Sequence, residues 1–240
     1  MELPEWWKHK ENYVIMDCLE GMKDIPDNSV DLILTDPPFN VGIDYGKNTN
    51  DVMNDSDYSY WIEKRLLEFE RIIKNGKPII IFTGDKKIYS ILNAVKNTNL
   101  MFHHHFFKWN KPSGQRGLSG WVLFNRTELA LLLTKGKPQQ NILNRKILYS
   151  DTLIHENTKP NDKDAVNHPC RRPTKLYSHI IKGMTKKNDI ILDPFLGSGT
   201  TLLACKETNR IGLGFEINPE YESIIRDRTI SKSETIGDYF

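Results

Sequence analysis

Asp189-Ile190-Ile191-Leu192-Asp193-Pro194-Phe195-Leu196-Gly197-Ser198-Gly199-Thr200-Thr201 is the stretch whose reading decides the fold. Its first five residues read as a short buried strand, apolar and β-branched. A glycine turn follows and opens a helix over Leu202 to Glu207. Glycine lets backbone approach a ligand closely, and a helix N-terminus favours a carboxylate or a phosphate. The next strand, Arg210 to Phe215, ends at Glu216-Ile217-Asn218. An acid at that place can grip ribose hydroxyls. The turn lacks the third glycine of the dinucleotide fingerprint, because Leu202 stands there, and it has no Gly-Lys-Ser/Thr ending for a nucleoside triphosphate. A glycine-rich turn without any ligand is the plain alternative.

A second strand end lies far upstream. Val30-Asp31-Leu32-Ile33-Leu34-Thr35 reads as a buried strand closed by Asp36-Pro37-Pro38-Phe39. Two prolines stop the ladder, since proline donates no N–H and fixes φ. The stiff corner offers a carboxylate, backbone carbonyls and one aromatic face. Such parts can hold a flat heterocycle bearing an amino group, with the amine donating to Asp36 and to the Pro37 carbonyl and the ring stacking on Phe39. Asp-Pro-Pro is also an ordinary way to leave a strand.

Other elements follow the same alternation. Tyr13 to Met16 reads as a strand ending at Asp17-Cys18, with a turn or two of helix over Leu19 to Lys23. Asn40 to Asp57 has loop composition and the length of a lid. Tyr58 to Ile73 and Lys86 to Lys96 carry helical stripes, and Pro78 to Gly84, Phe102 to Trp109 and Thr127 to Leu133 read as strands. Ser113 to Gly120 reads as a loop, and Thr174 to about Met184 as a helix. Strands alternating with helices predict an α/β, doubly wound, mostly parallel Rossmann-like sheet with helices on both faces. The expected organisation is one domain: a half at 12–136, a small insertion without its own core at 137–167, and a second half at 168–228.

The two motifs together resemble those of the DNA amino-methyltransferases that act on adenine N6 or cytosine N4. Asp36-Pro37-Pro38-Phe39 is similar to their catalytic tetrapeptide, and Asp193-Pro194-Phe195-x-Gly197-x-Gly199-Thr200 to their S-adenosyl-L-methionine site. Having the catalytic corner first and the cofactor turn last, with a His-Pro-x-x-x-Pro stretch before the cofactor strand, resembles their β group. The resemblance covers about Asn12–Leu133 and His168–Ile225. It departs at Cys170-Arg171-Arg172, where the family usually has Thr-Gln-Lys. Arginine keeps the positive charge of lysine but not its point geometry.

What the resemblance implies is a methyltransferase fold and a site-specific, adenine-favouring enzyme that takes its target base out of the duplex. Asp36, Pro37, Pro38 and Phe39 would be catalytic. Asp17, Cys18, Asp36, Asp193, Phe195, Gly197, Ser198, Gly199, Thr200, Glu216 and Asn218 would bind S-adenosyl-L-methionine. The implied partner is double-stranded DNA, and the β group allows a homodimer. Alternatives are a cytosine-N4 enzyme, an RNA or protein-glutamine methyltransferase, and a nucleic-acid-binding module that has lost catalysis.

Composition sets the outer bounds. The 240 residues carry a formal net charge of +2, so any nucleic-acid surface is local. Lys108–Arg116, Lys135–Lys146 and Arg171–Lys187 are the basic clusters. Cys18, Cys170 and Cys205 show no disulfide or zinc spacing, which fits a reducing cytoplasmic compartment. His103-His104-His105 has no partner at ligand spacing, so no metal is expected. Nor does any apolar run approach a membrane span.

Overall fold

The computed structural model describes residues 12–40, 42–43, 52–116, 124–139, 143–148, 150–156 and 172–230. His168 to Arg171, residues 41 and 44–51 of the expected lid, and residues 117–120 of the expected loop lie outside them. The elements are β1 (Tyr13–Ile15), α1 (Cys18–Met22), β2 (Leu32–Thr35), α2 (Asp55–Ile72), β3 (Pro78–Thr83), α3 (Ile88–Val95), β4 (Leu100–Arg116), β5 (Phe124–Lys135), β6 (Thr152–Ile154), α4 (Thr174–Met184), β7 (Ile190–Asp193), α5 (Thr200–Thr208), β8 (Ile211–Glu216) and α6 (Glu222–Ile230).

Among the described residues the strands form one sheet in the order β1-β8-β7-β2-β3-β5-β4-β6. From β1 to β3 every pairing is parallel. β5 then runs antiparallel to both β3 and β4, and β6 returns parallel to β4. Period-two alternation distributes the side chains. Ile33, Ile79, Ile81, Leu192 and Phe215 face one layer, built on Met22 of α1, Ile62, Leu66 and Phe69 of α2 and Ile91 of α3. Leu32, Leu34, Ile80, Phe82 and Ile191 face the other, built on Leu176, Tyr177 and Ile180 of α4 and Ala204 and Cys205 of α5. Burial on both faces explains why these strands read as continuous apolar runs rather than alternating ones. The expected doubly wound sheet with helices on both faces is the observed one.

Several boundaries differ from the sequence expectation. α2 begins at Asp55, not Tyr58, because the Asn54 side chain accepts the Asp57 N–H at 2.8 Å and caps the helix. The last residues of the expected lid are therefore helix. The β4 backbone runs on through Ser113 to Arg116, paired with β5, where a loop was expected. His103 to His105 sit at a register shift between Phe102 and Phe106, and His104 has φ 54°. In the segment after β5, Leu148 and Leu153 join the main core.

Gly21 shows how closely one layer packs. A Cβ there would lie 2.1 Å from Phe215 Cε1, and Phe215 is fully buried next to Glu216. Gly21→Ala should therefore cost about 1–3 kcal/mol by overpacking. Urea unfolding should show a lowered midpoint with an unchanged slope.

Candidate active site

β2 and β7 are parallel neighbours, so their carboxyl ends open on one edge of the sheet, where ligands bind in such folds. Asp36 leaves β2, Asp193 ends β7, and the two strands are tied there. Thr35 Oγ1 donates to Asp193 Oδ1 at 2.8 Å, joining positions 158 residues apart. Asp193 also accepts from the Phe195 N–H at 3.1 Å and from Thr201 Oγ1. Its carboxylate thus pins both limbs of the glycine turn. Burial pushes it up to about 7 against those hydrogen bonds.

The turn takes the conformation that glycine permits. Gly197 has φ 53° and Gly199 φ 79°, where residues with a Cβ are strained. The Gly197 N–H donates to Glu216 Oε2 at 2.7 Å, and the Asn218 N–H to Glu216 Oε1 at 2.8 Å. Glu216 is thereby aimed by backbone on both sides. Burial pushes it up to about 7, opposed by those same N–H groups.

One cavity of about 490 Å³ spans the edge, a size suited to a small-molecule ligand. Its wall contains Met16, Asp17 and Cys18 past the end of β1, Glu216 and Ile217 at the end of β8, Asp193 at the end of β7, and Asp36 and Pro38 past the end of β2, in that order along the sheet, with Phe195, Gly197, Ser198, Thr200, Tyr221, Arg172 and Tyr177 also on it. Most of the residues expected to bind the cofactor are thus together. Gly199 and Asn218 are not on the wall. Gly199 begins α5, and Asn218 is buried with its side chain accepting from the Glu220 N–H. Pro37 and Phe39 also lie off the wall; Phe39 packs beside the Arg172 guanidinium, with 5.5 Å to its ring centroid. The corner is held from outside, where Tyr58 Oη donates to the Pro38 carbonyl at 3.0 Å.

Further wall groups were not among the expected site residues, Trp61, Arg65 and Arg172 among them. Trp61 and Arg65 come from α2, and Arg65 lies 3.8 Å from the Trp61 ring centroid. Arg65 Nη2 donates to Asp17 Oδ2 at 3.2 Å, while Asp17 Oδ1 accepts the Leu19 N–H and caps α1. Among the described residues Arg65 Nε has no hydrogen-bond partner. The third is Arg172, whose fork grips Asp36: Nε to Oδ2 at 2.6 Å and Nη2 to Oδ1 at 2.8 Å. The Asp36 side chain keeps 16% exposure and can still be reached. Cys18 is buried, and burial pushes its thiol up to about 12 despite the opposing Arg65 charge.

Residues 30–227 match the N6/N4 methyltransferase family model, described as DNA methylase. The chain belongs to this family. Type II methyltransferase M.HpaI of Haemophilus parainfluenzae is 30% identical over 239 residues, covering 92% of this chain and 75% of its own length. The crystal structure of the M1.HpyAVI–SAM complex superposes with a TM-score of 0.73 at 25% identity, covering 91% of this chain and 98% of the other. The cytosine-N4-specific PvuII DNA methyltransferase has the same fold with a TM-score of 0.77 at 22% identity, over 94% of this chain and 89% of the other.

The methylase cofactor is S-adenosyl-L-methionine, and the wall fits its chemistry. Glu216 offers an acceptor for a diol, Phe195 an aromatic face, the turn before α5 a place for a carboxylate, and Asp17 an anion for an amine. The buried, unpartnered Arg65 Nε marks a wall whose polar groups are not all satisfied from within the protein. Among the described residues, no group of three or more His, Cys, Asp or Glu is placed to hold a metal ion, and no helix is long and apolar enough to cross a membrane.

Glu216 leads to a pH prediction. With its folded value near 7, Glu216 is ionised, and the better acceptor, above that pH and neutral below it. Cofactor affinity measured by calorimetry should weaken as pH falls from about 8 to about 6. Glu216→Gln should bind more weakly at the upper pH and lose part of this dependence. Asp193 titrates in the same range, and comparing the two proteins isolates the Glu216 share.

Proposed function

We propose that this methylase transfers the methyl group to N6 of an adenine that has left the DNA duplex, within a specific short sequence. The observation that carries the reading is one cavity whose wall holds both the Asp36 carboxylate and Glu216 with the glycine turn. A donor held by the turn and an acceptor held by the proline corner would share that one space, which is what direct transfer requires.

Bound S-adenosyl-L-methionine supplies an electrophilic methyl group on a sulfonium. Asp36 does the work at the acceptor. The adenine amine is a poor nucleophile because its lone pair is delocalised into the ring. Accepting hydrogen bonds at Asp36 and at the Pro37 carbonyl draws the amine toward sp³ geometry and frees that pair for attack. The proline corner, braced by Tyr58, keeps the carboxylate from following the base. A paired base cannot reach an enclosed site, so the base leaves the stack, and Phe39 offers an aromatic face at the corner.

Asp at the first position of the corner supports adenine over cytosine, where the family more often has Ser, and a carboxylate accepts more strongly than a hydroxyl. A cytosine-N4 product is the second reading, and the PvuII DNA methyltransferase that shares the fold is cytosine-N4-specific. DNA modified in an unmethylated host, digested to nucleosides and examined by mass spectrometry, separates the two. N6-methyladenine is expected. N4-methylcytosine alone would overturn the base, and unmodified DNA the function.

Asp36→Ala should lower turnover by about 100-fold or more, the usual scale for removing an oriented electrostatic partner. Its affinity for S-adenosyl-L-methionine should stay close to wild type in calorimetry, which also shows that the variant folds. Arg172 keeps Glu128 as a counter-charge there. Undiminished turnover would remove Asp36 from the mechanism.

A further inference from the structure

Arg172 stands where the sequence departs from the family pattern, immediately before α4. Two of its nitrogens hold the two oxygens of Asp36. Its third, Nη1, donates to Glu128 Oε2 of β5, and Glu128 Oε1 accepts Lys111 Nζ of β4 at 2.8 Å. The rings of Phe39, Phe82 and Trp109 lie 5.3–5.5 Å from the guanidinium. The Arg172 side chain is 9% exposed, so this is a fixed group and not a surface arm.

We propose that Arg172 is a positioning residue for methyl transfer, fixing the plane and the charge of the Asp36 carboxylate while Glu128 holds the fork from behind. The inference rests on Asp36 being the acceptor for the target amine. A carboxylate oxygen has two lone-pair sites. The fork uses one on each oxygen and leaves a second on each, so an incoming amine need not displace it. A lysine ammonium at this position would supply charge without setting the plane, because it is a point donor with free rotation.

Charge works in the same direction. Burial pushes Asp36 above the ordinary carboxylate range, Arg172 pulls it back, and Glu128 pushes it up again. Tyr177 of α4 and Asp193 of β7 also interact electrostatically with Asp36. Glu128 itself is held below its ordinary value: burial raises it, but Arg172 and Lys111 outweigh that. Removing Arg172 and removing Glu128 should thus displace the Asp36 titration in opposite senses. Loss of the cation favours the protonated acid, and loss of the Glu128 anion favours the carboxylate.

The experiment has two readouts on the full chain: the titration of Asp36 by carbon NMR of carboxyl-labelled aspartate, and turnover on DNA against pH. Arg172→Met should move the NMR midpoint and the acid limb of turnover to higher pH. Glu128→Gln should move both to lower pH. Arg172→Lys should keep the midpoint near wild type yet lower turnover by about ten-fold, since the charge stays and the fork is lost. A general packing defect would not produce shifts of opposite sign. If Arg172→Met does not fold, Glu128→Gln and Arg172→Lys carry the test. Coincident midpoints in wild type, Arg172→Met and Glu128→Gln, in an enzyme that methylates DNA, would overturn the positioning role alone. The expected shifts in a protein that methylates no DNA would overturn the functional reading beneath it.

Discussion

The parallel pairing of β2 with β7 is the constraint on which the rest depends. It sets side by side two strand ends that the chain order keeps far apart. The Thr35–Asp193 hydrogen bond locks that adjacency at the edge, and Asp193 then fixes the turn into α5 through Phe195 and Thr201. From the turn, Gly197 reaches Glu216 at the end of β8. Acids at three strand ends thus belong to one hydrogen-bonded or cavity-sharing set. A buried polar network of this kind holds when its members are satisfied and loosens when one is lost.

Much of this was legible in the sequence for a simple reason. Strands buried on both faces are apolar nearly throughout, and β2 and β7 stop at prolines just past their ends. Asp36, Asp193 and Glu216 therefore stand out at the ends of Leu32–Thr35, Ile190–Asp193 and Ile211–Glu216. What stayed hidden was pairing. The antiparallel run of β3, β5 and β4 depends on contacts distant in sequence, and nothing local in Phe102–Trp109 or Thr127–Leu133 specifies direction. The extension of β4 to Arg116 is likewise a property of its partner. A proline and a glycine at 112 and 114 read locally as a loop.

Two of the unanticipated residues share one trait: each is a charge at an inward position. Arg65 falls on the buried stripe of α2, next to Ile62 and Leu66. Glu128 is a charge directly before the apolar run Leu129–Leu133 of β5. Long charged residues are almost never buried without a partner, so both positions carried a signal. Their partners, Asp17 for Arg65 and Arg172 for Glu128, could not be named until the fold brought them together. Asn218 and Gly199 show the reverse case. They belong to the motifs, but they shape the site from behind the wall: Asn218 through the N–H that aims Glu216, and Gly199 through the turn that starts α5.

Cys18 on the cavity wall has a consequence for selectivity. A methyl sulfonium is an alkylating agent, and among side chains a thiolate is a far better nucleophile than an aromatic amine. A thiolate on the wall of the same cavity is a group that such a reagent can alkylate, leaving the enzyme modified. Burial holds the Cys18 thiol up to about 12, so at neutral pH it stays protonated and inert, a small apolar surface. The desolvation that shapes the wall thus keeps this sulfur unreactive in a cavity suited to an alkylating cofactor.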